Sequence, residues 1–220
     1  MRRKHEQSII DAFSNYFLKQ GKSRGKITNR LSLDGQDSIL GADYIFTGNS
    51  NFALVEFKYE EHDLKAEGDK ELRSTLCTML DNELVRRNRS LQCHYIAWSR
   101  KQQERRRVLF NKYYPEICNS AIFQRTDLRN SSPDTSSRVS ADNLINQFLD
   151  GSVGSSFEVF NQYVDWLLSL GGKQGTGVEV MLDNPDSNEL DILEFSSLEL
   201  LNNWLIQNRP QPAQSWSPSP

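Results

Sequence analysis

In HEQSIIDAFSNYFLKQ, Ile9, Ile10, Phe13, Phe17 and Leu18 return every three to four places, which predicts an amphipathic helix over residues 5–20. Glu6 falls in its first turn, and the glycines of GKSRGK close it. The pattern then shifts to β-rich runs at 27–34, 37–46 and 51–59, separated by Asp34-Gly35 and by Thr47-Gly48-Asn49-Ser50, as expected of a three-stranded meander. Leu72, Leu76, Met79, Leu80 and Leu84 predict a helix within 65–89, and CHYIAW (93–98) predicts a buried strand. The run from 102 reads as a basic helix stopping near Pro115, and CNSAIFQ (118–124) as a short strand.

Residues 129–140 are polar and read as a linker. Helical patterns follow at 141–149 and 157–170, then a glycine-rich turn at 171–177, a hairpin from 178–182 and 189–195, and a last helix at about 197–207. The tail RPQPAQSWSPSP is Pro/Ser-rich and reads as disordered. The chain thus divides into an α/β domain at 1–128, a linker at 129–140, a mostly helical extension at 141–208 and a tail at 209–220.

Charge sharpens this division. Residues 1–130 hold 23 Lys/Arg against 17 Asp/Glu, a balance of +6, whereas residues 131–220 hold 3 against 12, a balance of −9. RRNR (86–89) and SRKQQERRRV (99–108) concentrate the cations, either as an electrostatic footprint for phosphate backbones or as a solvated helix face. The acidic second half is a poor nucleic-acid surface and fits a protein partner or a homodimer interface. No apolar run approaches the ~20 residues needed to span a bilayer, and no secretory h-region follows MRRKHEQSII, so the expectation is a cytoplasmic protein without a membrane association. Cys77, Cys93 and Cys118 are odd in number and lack CxxC spacing, which points to reduced thiols rather than a disulfide framework or thiolate zinc site.

The chemistry concentrates in GADYIFTGNSNFALVEFKYE (41–60). In a strand Glu56 and Lys58 share a face while Val55 and Phe57 point the other way. A hairpin after Phe46 can bring Asp43 beside Glu56, and two carboxylates at that distance repel unless a cation lies between them. Oxygen donors of this kind suit Mg²⁺ or Mn²⁺. Asp63-Leu64-Lys65 repeats the acid-x-Lys spacing in a polar turn and reads as surface. Asp183, Asp186, Glu189, Asp191 and Glu194 lack the order of a calcium loop and also read as surface acidity. The three histidines are scattered, the glycine cluster is not a phosphate loop, and there is no G-x-S-x-G elbow.

Asp43, followed by Glu56-Phe57-Lys58 in an apolar strand and preceded by Glu6 on a helix, resembles the PD-(D/E)XK nuclease superfamily. The order helix, three-stranded meander, helix, strand resembles that superfamily's restriction-endonuclease-like core over about residues 5–100. Ala42 stands where the name-giving Pro would be. The resemblance implies a metal-dependent nuclease acting on DNA rather than RNA, with repair, recombination or defence against foreign DNA as typical settings. It implies Asp43 and Glu56 as ligands of Mg²⁺ or Mn²⁺, Lys58 as the residue that orients or activates the attacking water, and Glu6 as an outer ligand. Lys70 and Arg73, one to two turns into the second helix, are candidates for touching the scissile phosphate. Arg86, Arg87, Arg89, Arg100, Arg105, Arg106 and Arg107 would track the backbone further away. Tyr113 and Tyr114 read either as base-stacking groups or as a helix end. The alternative is a catalytically inactive protein of this fold that binds nucleic acid or a protein partner, with these charges on an edge strand.

Overall fold

The computed structural model describes residues 3–33, 36–124, 127–172, 178–183, 189 and 191–208. The Asp34-Gly35 turn, the glycine-rich stretch beyond Gly172, Asp186 and the tail from 209 lie outside the described residues.

The stripe Ile9, Ile10, Phe13 and Phe17 forms the buried face of α1 (Arg3–Ser23). β1 (Thr28–Ser32) and α2 (Asp37–Leu40) lead to β2 (Tyr44–Gly48) and β3 (Asn51–Glu60). A 3-10 helix, Glu61–Asp69, then precedes α3 (Glu71–Asn82) and α4 (Leu84–Cys93). β4 (His94–Gln102), β5 (Arg105–Lys112) and α5 (Tyr113–Ile117) follow. The remaining elements among the described residues are a 3-10 helix, Thr135–Ser137, then β6 (Val139–Ser140), α6 (Ala141–Leu149), α7 (Phe157–Leu170), β7 (Val180–Asp183), β8 (Ile192–Phe195) and α8 (Leu198–Gln207). Among the described residues the strands form one mixed sheet ordered β6-β5-β4-β3-β2-β1-β7-β8, so the protein is α/β. Every pairing is antiparallel except β3 with β4, whose crossover runs through α3 and α4.

Helices cover both faces, which is why β3 reads as a continuous apolar run rather than an alternating one. Ala53, Val55 and Phe57 pack with Phe13, Phe17, Phe110 and Phe148 of the α1 and α6 side. Phe52 and Leu54 pack on the opposite face with Leu76, Ile96, Trp98 and Phe160. Phe13 is the hub of the first layer, with ring centroids 4.8 Å from Phe110, 5.2 Å from Phe46 and 5.7 Å from Phe57. Phe13→Ala is expected to lower stability by about 3–5 kcal/mol, read as a shift in the urea midpoint at constant slope.

Several expectations need correction. The run 37–46 is not one strand: α2 occupies its first half, capped at Gly41 in the left-handed region (φ 71°), and β2 begins only at Tyr44. The 65–89 helix is three pieces, broken at Lys70 and Glu83, which hold extended backbone angles. The basic run after 102 is a strand, not a helix. Gln103 adopts φ 54° in a two-residue hairpin, and Val108 and Phe110 alternate toward the α1 side, so pairing with β4 overrides the helical propensity of QQERRR. Residues 118–124 make turns instead of a strand, with Asn119 Oδ1 accepting from the amides of Ala121 and Ile122. The polar stretch 129–140 is tied back to the sheet through β6 on β5 and the Asp134 amide on the Pro115 carbonyl.

Cys77 and Cys118, 41 residues apart, form a disulfide between α3 and the end of α5, contrary to the expectation of three reduced thiols. Sequence spacing could not reveal a pair that only helix packing brings together. Cys93 remains a buried thiol, pushed by burial up to about 12. Among the described residues no helix is long and apolar enough to cross a membrane.

Candidate active site

Asp43 immediately precedes β2, at the end of its pairing with β3 where Tyr44 lies opposite Val55. Its amide donates to the Val55 carbonyl at 3.0 Å, and its Oδ2 accepts from the Phe57 amide at 2.7 Å, so the side chain continues the ladder where backbone stops. That bond carries the Asp43 carboxylate to the centre of Glu56-Phe57-Lys58. Glu56 and Lys58 project from β3 on the face of Leu54, Ile96 and Trp98, and they are only 3% and 9% exposed. Lys58 Nζ donates to Glu56 Oε1 and, at 3.1 Å, to the Phe57 carbonyl.

Burial first, and then the Glu56 carboxylate, push Asp43 up to about 7, against the Phe57 amide and Lys58, which act to lower it. For Lys58 burial acts to lower the pKa, but Glu56 and Glu67 beside it prevail and hold it above the usual lysine range. Glu6 comes to the same place from α1. Burial raises its pKa, Lys58 opposes, Glu56 adds to the rise, and the Tyr59 amide hydrogen bond opposes again. Glu6 also acts on Asp43, so all four residues singled out in the sequence lie within electrostatic reach of one another.

Glu67 was missed by sequence reasoning. It lies on the 3-10 helix, fully buried, 2.6 Å from Lys70 Nζ and 3.3 Å from Lys58 Nζ through Oε1, while Oε2 accepts from the Tyr113 hydroxyl at 2.8 Å. Burial alone would raise its pKa, but Lys58, Lys70 and Arg73 bring it down to about 2. A buried carboxylate in a segment as polar as EEHDLKAEGDK gives no apolar context to single it out.

The cations divide into distinct environments. Lys70 Nζ reaches Glu56 at 3.1 Å and keeps 41% of its side chain exposed, at the mouth of the site. Arg73 is 1% exposed, donates to the carbonyls of Asp37 and Ile39 at 3.0 and 3.2 Å and lies 3.4 Å from Glu67, so as a phosphate contact it is corrected to an internal strut. Arg100 pairs with Glu61 at 2.6 Å and Arg106 with Glu60 at 2.5 Å, fastening the β4–β5 hairpin to the turn that follows Lys58. On α4, Arg86 pairs with Glu83 and stacks over Trp166, and Arg87 bonds the Asp81 carbonyl and stacks over Tyr114. Arg89 is half-buried on α4, whereas Arg105 and Arg107 are exposed on β5. Tyr113 and Tyr114 are buried at the start of α5, which favours a helix end over base stacking. Asp63 of the second acid-x-Lys triplet caps the 3-10 helix through the Glu60 amide, and Lys65 is exposed. A cleft of about 570 Å³ between α1, β5 and the start of α6 opens on the other side of the sheet from Glu56 and Lys58.

His94 braces the site from below. Fully buried, it stacks on Tyr113 at 4.3 Å and hydrogen-bonds the Gly41 carbonyl at 2.9 Å and the Tyr163 hydroxyl at 3.0 Å, fixing the loop that carries Asp43. Burial holds it down to about 3. A base with a depressed folded pKa contributes stability that is full above its unfolded value near 6.5 and is lost as pH falls toward 3. His94→Phe, which removes both bonds, is therefore expected to be destabilised at pH 7, with a deficit that narrows by about 2 kcal/mol by pH 4.5 in urea titrations.

Among the described residues no three His, Cys, Asp or Glu side chains are grouped to hold a metal ion. The donor set nevertheless fits a hard divalent cation that keeps much of its own shell. Mg²⁺ is commonly held by one or two carboxylates, with water and substrate oxygens completing the octahedron. The mutual repulsion of Asp43 and Glu56 is what such an ion would relieve. Asp43 and Glu56 would hold it, with Glu6 beyond them. No family model matches the chain, and no curated protein or solved structure matches it either.

Proposed function

We propose that this chain is a metal-dependent nuclease of restriction-endonuclease-like core that hydrolyses phosphodiester bonds, in DNA rather than RNA. The observation that carries the reading is the convergence of Asp43 on Glu56-Phe57-Lys58 through the 2.7 Å bond to the Phe57 amide, joined by Glu6 from α1. The preference for DNA follows from the resemblance of these residues to the PD-(D/E)XK superfamily.

When bound, Mg²⁺ or Mn²⁺ would supply charge neutralisation and a more acidic water. The chain's own groups do the rest. Lys58, held protonated between Glu56 and Glu67, donates hydrogen bonds and stabilises negative charge as it develops on the phosphate. It does not act as the general base, because its proton is held too tightly. Lys70, half exposed beside Glu56, supplies a second ammonium to a phosphate oxygen. The exposed Arg105 and Arg107 extend the cationic surface, which makes binding salt-sensitive. In the acidic half, Ile192, Leu200 and Ile206 are each about half exposed at the β8 edge and on α8, and we assign that side to a protein partner or a second copy of the chain.

One observation favours the alternative of an inactive nucleic-acid-binding protein: Glu56 is already neutralised by Lys58 and Lys70. The two readings separate in an assay of wild type and Glu56→Gln on supercoiled plasmid, circular single-stranded DNA and RNA, each with Mg²⁺, Mn²⁺ or EDTA. The nuclease reading expects metal-dependent cleavage of DNA that Glu56→Gln abolishes. Equal salt-sensitive binding by both proteins, without cleavage, supports the alternative.

A further inference from the structure

Glu56 and Glu67 share two ammonium groups. Lys70 Nζ lies 2.6 Å from Glu67 Oε1 and 3.1 Å from Glu56 Oε1, and Lys58 Nζ bonds that same Glu56 oxygen while lying 3.3 Å from the same Glu67 oxygen. The result is a closed ring of alternating charge in which Lys70 is the exposed corner and Glu67 the buried one. Glu67 is itself fixed from behind, by the Tyr113 hydroxyl at 2.8 Å and by the Arg73 guanidinium at 3.4 Å.

We propose that Glu67 is a positioning residue for the nuclease reaction: it draws Lys58 and Lys70 partly off Glu56, so that Glu56 can take a divalent cation while both ammoniums stay aimed at the phosphate. The inference rests on the nuclease reading and deepens it. Without Glu67, Glu56 is the carboxylate left to both lysines within this ring, the local charge rises by one, and an arriving cation meets two ammoniums already on its ligand. Nucleic acid would meet the opposite change, since a more cationic site attracts phosphate at least as well. A role confined to neutralising Arg73 would instead weaken metal binding, turnover and nucleic-acid binding together, in step with loss of folded protein.

The test compares wild type, Asp43→Asn, Glu67→Gln, Glu67→Asp and Asp81→Asn. The last is a destabilising control, because Asp81 is a buried carboxylate bonded to Tyr114 and the Arg129 amide, away from the ring. Four quantities are read on protein shown to be folded by circular dichroism: Mn²⁺ affinity without substrate by electron paramagnetic resonance, kcat and KM on the cleaved substrate, and DNA affinity in EDTA. Glu67→Gln is expected to lose about 10–100-fold in Mn²⁺ affinity and in kcat, the scale for outer partners of a metal site, with KM and EDTA binding unchanged or tighter. Glu67→Asp recovers part of both losses, and Asp81→Asn shows neither. Retention of Mn²⁺ affinity and kcat by Glu67→Gln overturns the proposal, as does parallel loss of Mn²⁺ affinity, kcat and DNA affinity. If Glu67→Gln fails to fold, Glu67→Asp decides, and wild-type values for it in both readouts overturn the proposal. A wild type that binds no Mn²⁺, or binding that survives Asp43→Asn, removes the nuclease reading itself and the role of Glu67 with it.

Discussion

Asp43→Asn stabilises the metal-free protein at pH 8 and at the same time sharply lowers cleavage. Burial and Glu56 push the Asp43 carboxyl from an ordinary 3.8 up to about 7, so the folded protein holds a proton there that the unfolded chain releases. The sign follows: the cost of ionised Asp43 is absent below pH 4, grows as pH rises to 7, and is constant above. Asparagine keeps an oxygen for the Phe57 amide and never ionises. The variant is expected to gain about 2 kcal/mol over wild type at pH 8 and nothing at pH 4, the full effect of raising the carboxyl to about 7 being reduced by the partial solvent contact of Asp43. Added Mg²⁺ or Mn²⁺ raises the Tm of wild type and leaves that of Asp43→Asn unchanged, because only a ligand bound to the folded state stabilises it. Cleavage by the variant falls by roughly 10³-fold, the scale of removing one preorganised electrostatic element. Thermal melts at the two pH values, with and without metal, check the stability half without reference to activity.

The second large effect is at Arg73. Arg73→Ala is expected to lower stability by about 3–5 kcal/mol in guanidinium titrations, the usual result of removing one partner from a buried ion pair. The side chain joins α3 to α2 through the Asp37 and Ile39 carbonyls and lies against fully buried Glu67. Gly41 is shaped around it: a Cβ there would sit 2.8 Å from the guanidinium carbon, and φ is 71°. Alanine leaves Glu67 with one cation fewer, the Ile39 carbonyl without its Arg73 donor and the Asp37 carbonyl with the Gly41 amide alone. Arg73→Lys does not recover the loss, since a single ammonium cannot serve two carbonyls and a carboxylate in the geometry of the guanidinium fork. Were Arg73 a substrate contact, its removal would instead leave stability intact and weaken DNA binding.

What the sequence made legible follows periodicity. α6, α7 and α8 lie within the stretches whose apolar spacing predicts them, and α1, β2, β3 and β4 overlap theirs while running past the predicted ends, because their buried faces are long and regular. β5 was misread because QQERRR is a good helix former, and what makes it a strand is a non-local partner, β4, which local propensity does not register. α2 was hidden inside an apolar run that looked continuous with β2, and only the positive φ at Gly41 marks the break. In the site, Asp43, Glu56 and Lys58 stood out as charges embedded in apolar strands. Glu67 did not, since it sits in a polar segment where one carboxylate looks like another, and Lys70 is singled out only by its place near the second helix. The basic residues show the converse error: a cationic run says nothing of which guanidiniums are turned inward, and Arg73, Arg86 and Arg87 bond or stack within the protein.

The central claim is that Asp43, Glu56 and Lys58 form a centre that hydrolyses phosphodiester bonds. Its most direct test is conversion of supercoiled plasmid to nicked and linear forms by wild type, Asp43→Asn and Lys58→Ala, purified in parallel, in Mg²⁺ and in EDTA. Metal-dependent conversion by wild type alone is the expected result. Conversion by all three proteins would contradict it, and so would its absence from a folded wild type that still binds the DNA.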